Sequence, residues 1–160
     1  MYVKNKKILK YFLWYLNVKL KKRALFFYRF NCYHSACALL EYGADPTLTS
    51  ILGATPLHYV ARRGNEQMVQ LFLNHCKVDI DARDNSYFTP LHHACIHGNS
   101  SAIQLLLEKN ADVQAKTADC MTPLHFAVNP CNFDTVQMIL KKGSLSLFLI
   151  IKDKFDISCL

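Results

Sequence analysis

The tetrapeptide Thr-Pro-Leu-His occurs three times, and the intervals between its copies constrain the fold more than any other feature. It begins at Thr55, again 34 residues on (89 − 55) at Thr89, and again 33 residues on (122 − 89) at Thr122. Other residues keep the same step. Gly64-Asn65 returns as Gly98-Asn99, and Gly43-Ala44-Asp45 corresponds to Asn110-Ala111-Asp112. Leu71-Phe72-Leu73, Leu105-Leu106-Leu107 and Met138-Ile139-Leu140 share a further position. A fixed period of this length marks stacked repeats, each a supersecondary unit that cannot bury its apolar face alone. Neighbours then supply the core that a single unit lacks.

Within a period the signals are those of two helices and a loop. Thr55 is an N-cap, and Pro56 falls in the first turn, where its missing N–H does no harm. Arg62, Arg63 and Gly64 close that helix, glycine being able to take the left-handed conformation of a sharp reversal. A second helix is expected over Met68 to Leu73, with Val69, Leu71, Phe72 and Leu73 facing neighbouring repeats. Asp79 to Asp84 leads into a hairpin-like loop ending at Phe88. The next unit repeats the scheme with Thr89, Pro90, Gly98 and the apolar set Ile103, Leu105, Leu106 and Leu107. Ala61, Ala94 and Ala127 are the small residues expected against the stack. Both ends are irregular. Counting 33 back from Thr55 lands on Lys22, where no Thr-Pro-Leu-His stands. The last unit places Pro130-Cys131 near its helix-ending position and follows Gly143 with Ser144-Leu145.

This pattern resembles the ankyrin repeat, which opens TPLHxA, passes through a glycine and an LLL run, and closes on GAD. The match covers about Gly43 to Lys142. The resemblance implies an all-α fold, an ankyrin-type α-solenoid of helix-turn-helix repeats with hairpin-like loops. It also implies a protein-interaction scaffold as the function. The expected division is a basic and aromatic arm or capping helix at 1–30, repeats at 31–144 and a degenerate apolar tail at 145–160. Within the repeats it gives 31–54 (partial), 55–88, 89–121 and 122–144. In ankyrin proteins the histidine of the tetrapeptide makes hydrogen bonds that tie loops and adjacent repeats together. That structural role is implied here for Thr55 and His58, Thr89 and His92, and Thr122 and His125.

The same resemblance places the exposed first-helix positions on Tyr59, Arg62 and Arg63, on His93, Ile96 and His97, and on Phe126 and Asn129. Loop tips fall on Asn85 to Phe88 and on Ala118 to Met121. From these, Tyr59, Arg62, Arg63, Tyr87, Phe88, His93, Ile96, His97 and Met121 are the expected partner contacts. The ladder mixes aromatics with arginine and histidine, types suited to interface anchors. Tyr87 and Cys120 stand where the family commonly has glycine, as does Asn110, whose side chain tolerates the left-handed region.

Charge belongs to one end of the chain. The net charge is +7, yet residues 1–30 hold nine Lys or Arg and no acid, leaving ten basic against twelve acidic groups elsewhere. Ile8, Leu9, Phe12, Leu13, Leu16 and Leu20 fall there at helical spacing. Lys10 and Lys19 bracket an uncharged run of only eight residues, too short for a membrane span. Three readings of this arm compete: a helix capping the first repeat, a helix lying on a membrane surface, or poorly ordered sequence. The capping role is the expectation, and membrane contact through residues 1–30 stays open. The tail reverses the usual polar cap, since Leu145 to Ile151 is almost wholly apolar. Either more protein follows it, or it packs back on the last repeat, or the chain is a fragment.

Chemistry is hard to find. Seven cysteines make an odd count without a framework spacing, so free thiols in a reducing, cytosolic setting are expected. His93 and His97 share a helix face but lack a third and fourth metal ligand, so no metal site is expected. The chain holds no GxxxxGK[ST], GxSxG or HExxH signature, and Asp79 and Asp112 sit at loop positions of the repeat. The expectation is a non-enzymatic chain with no cofactor. Basic charge with Tyr11, Phe12, Trp14 and Tyr15 among it allows salt-sensitive nucleic-acid binding, but the repeats add no positive stripe. Another protein is the expected partner. A rival expectation is that the chain is a piece of the cytosolic ankyrin arm of a membrane protein such as a TRPA-like cation channel.

Overall fold

The computed structural model describes residues 33–41, 44–75, 78–128 and 133–143. The expectations for the arm at 1–30, for Gly43, Asn129, Pro130 and Cys131, and for the tail from 145 fall outside these residues. The described chain is helical, with no strand. Its helices are α1 (Tyr33–Glu41), α2 (Pro56–Arg63), α3 (Glu66–Leu73), α4 (Pro90–Ile96), α5 (Ser100–Glu108), α6 (Pro123–Ala127) and α7 (Phe133–Lys142). First helices begin at Pro56, Pro90 and Pro123 and second helices at Glu66, Ser100 and Phe133, both sets keeping the period of the sequence. First helices pack on first helices (α2, α4, α6) and second on second (α3, α5, α7), with α1 against α3. This is the expected solenoid of helix pairs. Among the described residues no helix is long and apolar enough to cross a membrane.

Each helix end has a local cause. Thr55, Thr89 and Thr122 occupy the N-caps in extended conformation, and a proline follows in the first turn each time. Gly64 ends α2 at φ 70° with its N–H on the Val60 carbonyl at 3.0 Å. A side chain with Cβ would be strained there. Asn65 then caps α3, its Oδ1 accepting from the Met68 N–H at 3.0 Å. The helix therefore starts at Glu66, two residues before the expected Met68.

The core is a continuous seam between the helix rows. Leu57, Leu91 and Leu124 of the tetrapeptides are buried, with Ala61, Ala94 and Ala127 beside them as expected. From the second helices come Met68, Val69 and Phe72, then Ala102, Ile103, Leu106 and Leu107, then Ile139. Leu71, Leu73 and Leu105 are only half-buried. Met68, Val69 and Phe72 explain the difference, because an i, i+1, i+4 stripe holds one helix face inward. Burying a large side chain is worth about 1.5–3 kcal/mol, so this seam outweighs any single polar contact in the molecule. Cys95 lies wholly inside it, and burial pushes its thiol well above the usual range.

Candidate interaction surface

The tetrapeptide histidines are the joints on which the surface is mounted. His58 Nδ1 lies 3.0 Å from the Thr55 N–H and 2.8 Å from its hydroxyl, while Nε2 lies 3.0 Å from the Phe88 carbonyl. A carbonyl can only accept and an N–H can only donate, so the ring is neutral with its proton on Nε2. His92 repeats this arrangement: Nδ1 faces the Thr89 N–H and hydroxyl at 3.1 and 2.9 Å, and Nε2 the Met121 carbonyl at 3.2 Å. His125 caps Thr122 in the same way, at 3.1 and 2.7 Å. Burial pushes the pKa of both His58 and His92 down to about 4, against the opposing pull of the carbonyls they bond. Each of these two rings thus ties the start of one repeat to the far end of the loop that leads into the next.

The loops have a common build. Ser50 N–H donates to the Ala54 carbonyl, Asp84 N–H to that of Phe88 and Thr117 N–H to that of Met121, at 2.9, 3.0 and 3.0 Å. Side-chain oxygens of Ser50, Asp84 and Thr117 accept main-chain N–H groups inside these turns. The fourth residue of each turn is left-handed: Gly53 at φ 75°, Tyr87 at 63° and Cys120 at 60°. This explains why glycine is the expected residue there. Adjacent tips are bonded together, Asn85 N–H to the Leu52 carbonyl at 3.0 Å and Ala118 N–H to that of Ser86 at 3.2 Å. Asn85 Nδ2 adds a bond to the Ile51 carbonyl at 3.1 Å.

Between tips and first helices lies a row of rings. Phe88 meets His92, His93 and Phe126 at centroid distances of 5.6, 5.6 and 5.3 Å, and His93 meets His58 edge-on at 5.5 Å. His93 Nε2–H donates to Asp84 Oδ2 at 3.0 Å, leaving the His93 side chain 21% exposed. Burial, with Arg62 and His97 nearby, holds the His93 pKa below its ordinary value despite that carboxylate. Burial alone would raise Asp84; the hydrogen bond from His93 and those from the Phe88 and Ser86 N–H groups overcome it and hold the carboxyl below the usual range.

The nine expected contact residues therefore divide. Arg62, Arg63, Tyr87, Ile96 and His97 are exposed, whereas Tyr59, Phe88, His93 and Met121 are half-buried. Arg62 and His97 meet directly, Arg62 Nε donating to His97 Nε2 at 3.1 Å. The guanidinium of Arg83 lies over the Tyr87 ring, 5.8 Å from its centre. Among the exposed large apolar side chains that escaped the sequence reading, Ile51 and Leu52 stand together, 98% and 69% exposed at the first hairpin tip. Counting 34 back from Asn85 and Ser86 reaches them, but no Thr-Pro-Leu-His precedes that unit to invite the count. Among the described residues no group of three or more His, Cys, Asp or Glu could hold a metal ion.

A family model described as Ankyrin repeats (3 copies) matches residues 25–117 and 89–147. The Transient receptor potential cation channel protein painless of Drosophila melanogaster is 42% identical over 52 residues. That alignment covers 29% of this chain and 6% of the fly protein, so the chain spans a small part of that relative's length.

Proposed function

The chain belongs to the ankyrin repeat family, and on that premise we propose that its first-helix face and hairpin tips dock a partner protein without catalysing a reaction. Ankyrin repeats are protein-interaction scaffolds. The observation that carries the reading is the contrast between a locked frame and the exposed side chains mounted on it. Main-chain bonds and neutral histidines hold the loops, while Arg62, Arg63, Tyr87, Ile96 and His97 stand exposed on that frame. Little ordering entropy is then lost on binding. A cytosolic location goes with this reading, as does the division into an arm at 1–30, repeats at 31–144 and a tail at 145–160. Replacing Arg62 and Arg63 together by alanine is expected to weaken binding about tenfold while leaving the helical circular dichroism unchanged. Full affinity in the double variant would remove the two arginines from the surface.

The likeness to the fly cation channel supports a second reading, in which these repeats are one section of the cytosolic arm of a larger membrane protein. An antibody raised against the repeats separates the two. A native band near 18.4 kDa favours the free-standing scaffold, and a much larger membrane-associated band favours the arm.

A further inference from the structure

Arg62 stands in the last turn of α2 under two restraints. Its own carbonyl and that of Ala61 accept from Asn99 Nδ2, at 2.8 and 2.9 Å, so the main chain beneath it is tied to the next helix pair. Its Nε–H is held by His97 Nε2 at 3.1 Å. His97 is aimed in turn by its Nδ1–H, which donates to the His93 carbonyl at 3.1 Å, so Nε2 carries the lone pair. The acceptor is an uncharged ring. It turns the guanidinium without neutralising it, and no hydrogen bond among the described residues engages the two Nη groups. Asp84, the carboxylate that bonds His93, is already committed to that ring and to the N–H groups of Ser86 and Phe88. Arg63 beside it is exposed and adds a second positive charge.

The geometry points to Arg62 as the anchoring cation for a carboxylate side chain on an acidic peptide segment of the partner, with His97 as its positioning residue. This rests on the reading above that the first-helix face docks a protein. Guanidinium and carboxylate match as two parallel charge-assisted hydrogen bonds, and a pre-turned guanidinium loses less freedom in making them. The uncancelled charge of Arg62 and Arg63 favours an acidic occupant over a neutral or basic one.

The test is a selection of random displayed peptides on the full chain, each binder then compared with a counterpart in which its acids are replaced by amides. Selected peptides carry Asp or Glu, and the amide forms bind about tenfold more weakly. Against an Arg62→Ala chain the acid and amide forms bind alike. His97→Ala loses part of the preference, and His97→Gln, which keeps an acceptor, restores it. Binders without acids overturn the anchor, as does an acid preference that survives Arg62→Ala. The docking face itself still stands if Tyr59→Ala or Ile96→Ala weakens those binders. A selection without binders, or with binders indifferent to every one of these substitutions, removes the face and the anchor together. Equal behaviour of wild type, His97→Ala and His97→Gln removes the positioning role.

Discussion

Tyr87 and Cys120 hold a backbone conformation that their side chains disfavour, at φ 63° and 60°, where the first hairpin has Gly53 at 75°. A left-handed non-glycine residue costs about 1–2 kcal/mol, partly offset by the greater freedom of glycine in the unfolded chain. Cys120→Gly should therefore raise stability by about 1 kcal/mol, and Tyr87→Gly by less, because it also removes the ring beneath Arg83. Denaturant midpoints measure both; unchanged or lower midpoints would mean the turns are not strained. The histidines make a second prediction at this scale. His58 and His92 titrate near 4 when folded against an ordinary 6.5, so between those values the unfolded chain binds protons that the folded chain refuses. Stability is intact above about pH 6.5 and falls as pH drops toward about 4, by up to about 3 kcal/mol per ring. A midpoint that stays flat across that window would show that these rings are not held as neutral acceptors.

At the scale of elements, one asparagine adds a tie between the first complete helix pair and the next. Asn65 caps its own helix, but Asn99 at the equivalent position turns its amide to the carbonyls of Ala61 and Arg62 at the end of α2. A Cβ on Gly64 would come within 2.6 Å of the Asn99 side chain. Gly64→Ala should thus cost about 2 kcal/mol or more, combining the left-handed strain with the loss of those bonds. Asn99→Ala should cost about 1–2 kcal/mol. The double variant should cost less than the sum, since the clash partner is gone; strict additivity in a denaturation cycle would refute the coupling. Much of this was legible beforehand. The period, the threonine caps, the left-handed Gly64 and the alanine row follow from residues at fixed offsets, whereas the histidine ties were implied only by the resemblance to the ankyrin repeat. What was not legible depends on side chains meeting across repeats. Nothing in the run from Asp84 to His97 announces that His93 turns to Asp84, or that Arg62 reaches diagonally to His97 instead of standing alone. The exposed Ile51-Leu52 tip went unread because its unit lacks the opening tetrapeptide.

Across the whole molecule, stability is shared between neighbours and should be uneven. Helices α4 and α5 are covered by helix pairs on both sides, whereas in α7 only Thr135 and Ile139 are buried and Val136, Met138 and Leu140 remain partly so. In such an array local opening is cheapest in the helices that bury the fewest side chains against their neighbours. Amide hydrogen exchange should be slowest in α4 and α5 and faster in α7; uniform rates would indicate a single all-or-none unit. The bonds that join one hairpin tip to the next are mostly main-chain, from Asn85 to Leu52 and from Ala118 to Ser86. A main-chain rung does not record which side chain it carries. Substitution at Ile51, Leu52, Ser86, Ala118 or Asp119 can therefore rewrite what the edge displays while its spacing stays the same, which makes it a surface on which new specificities can arise without refolding.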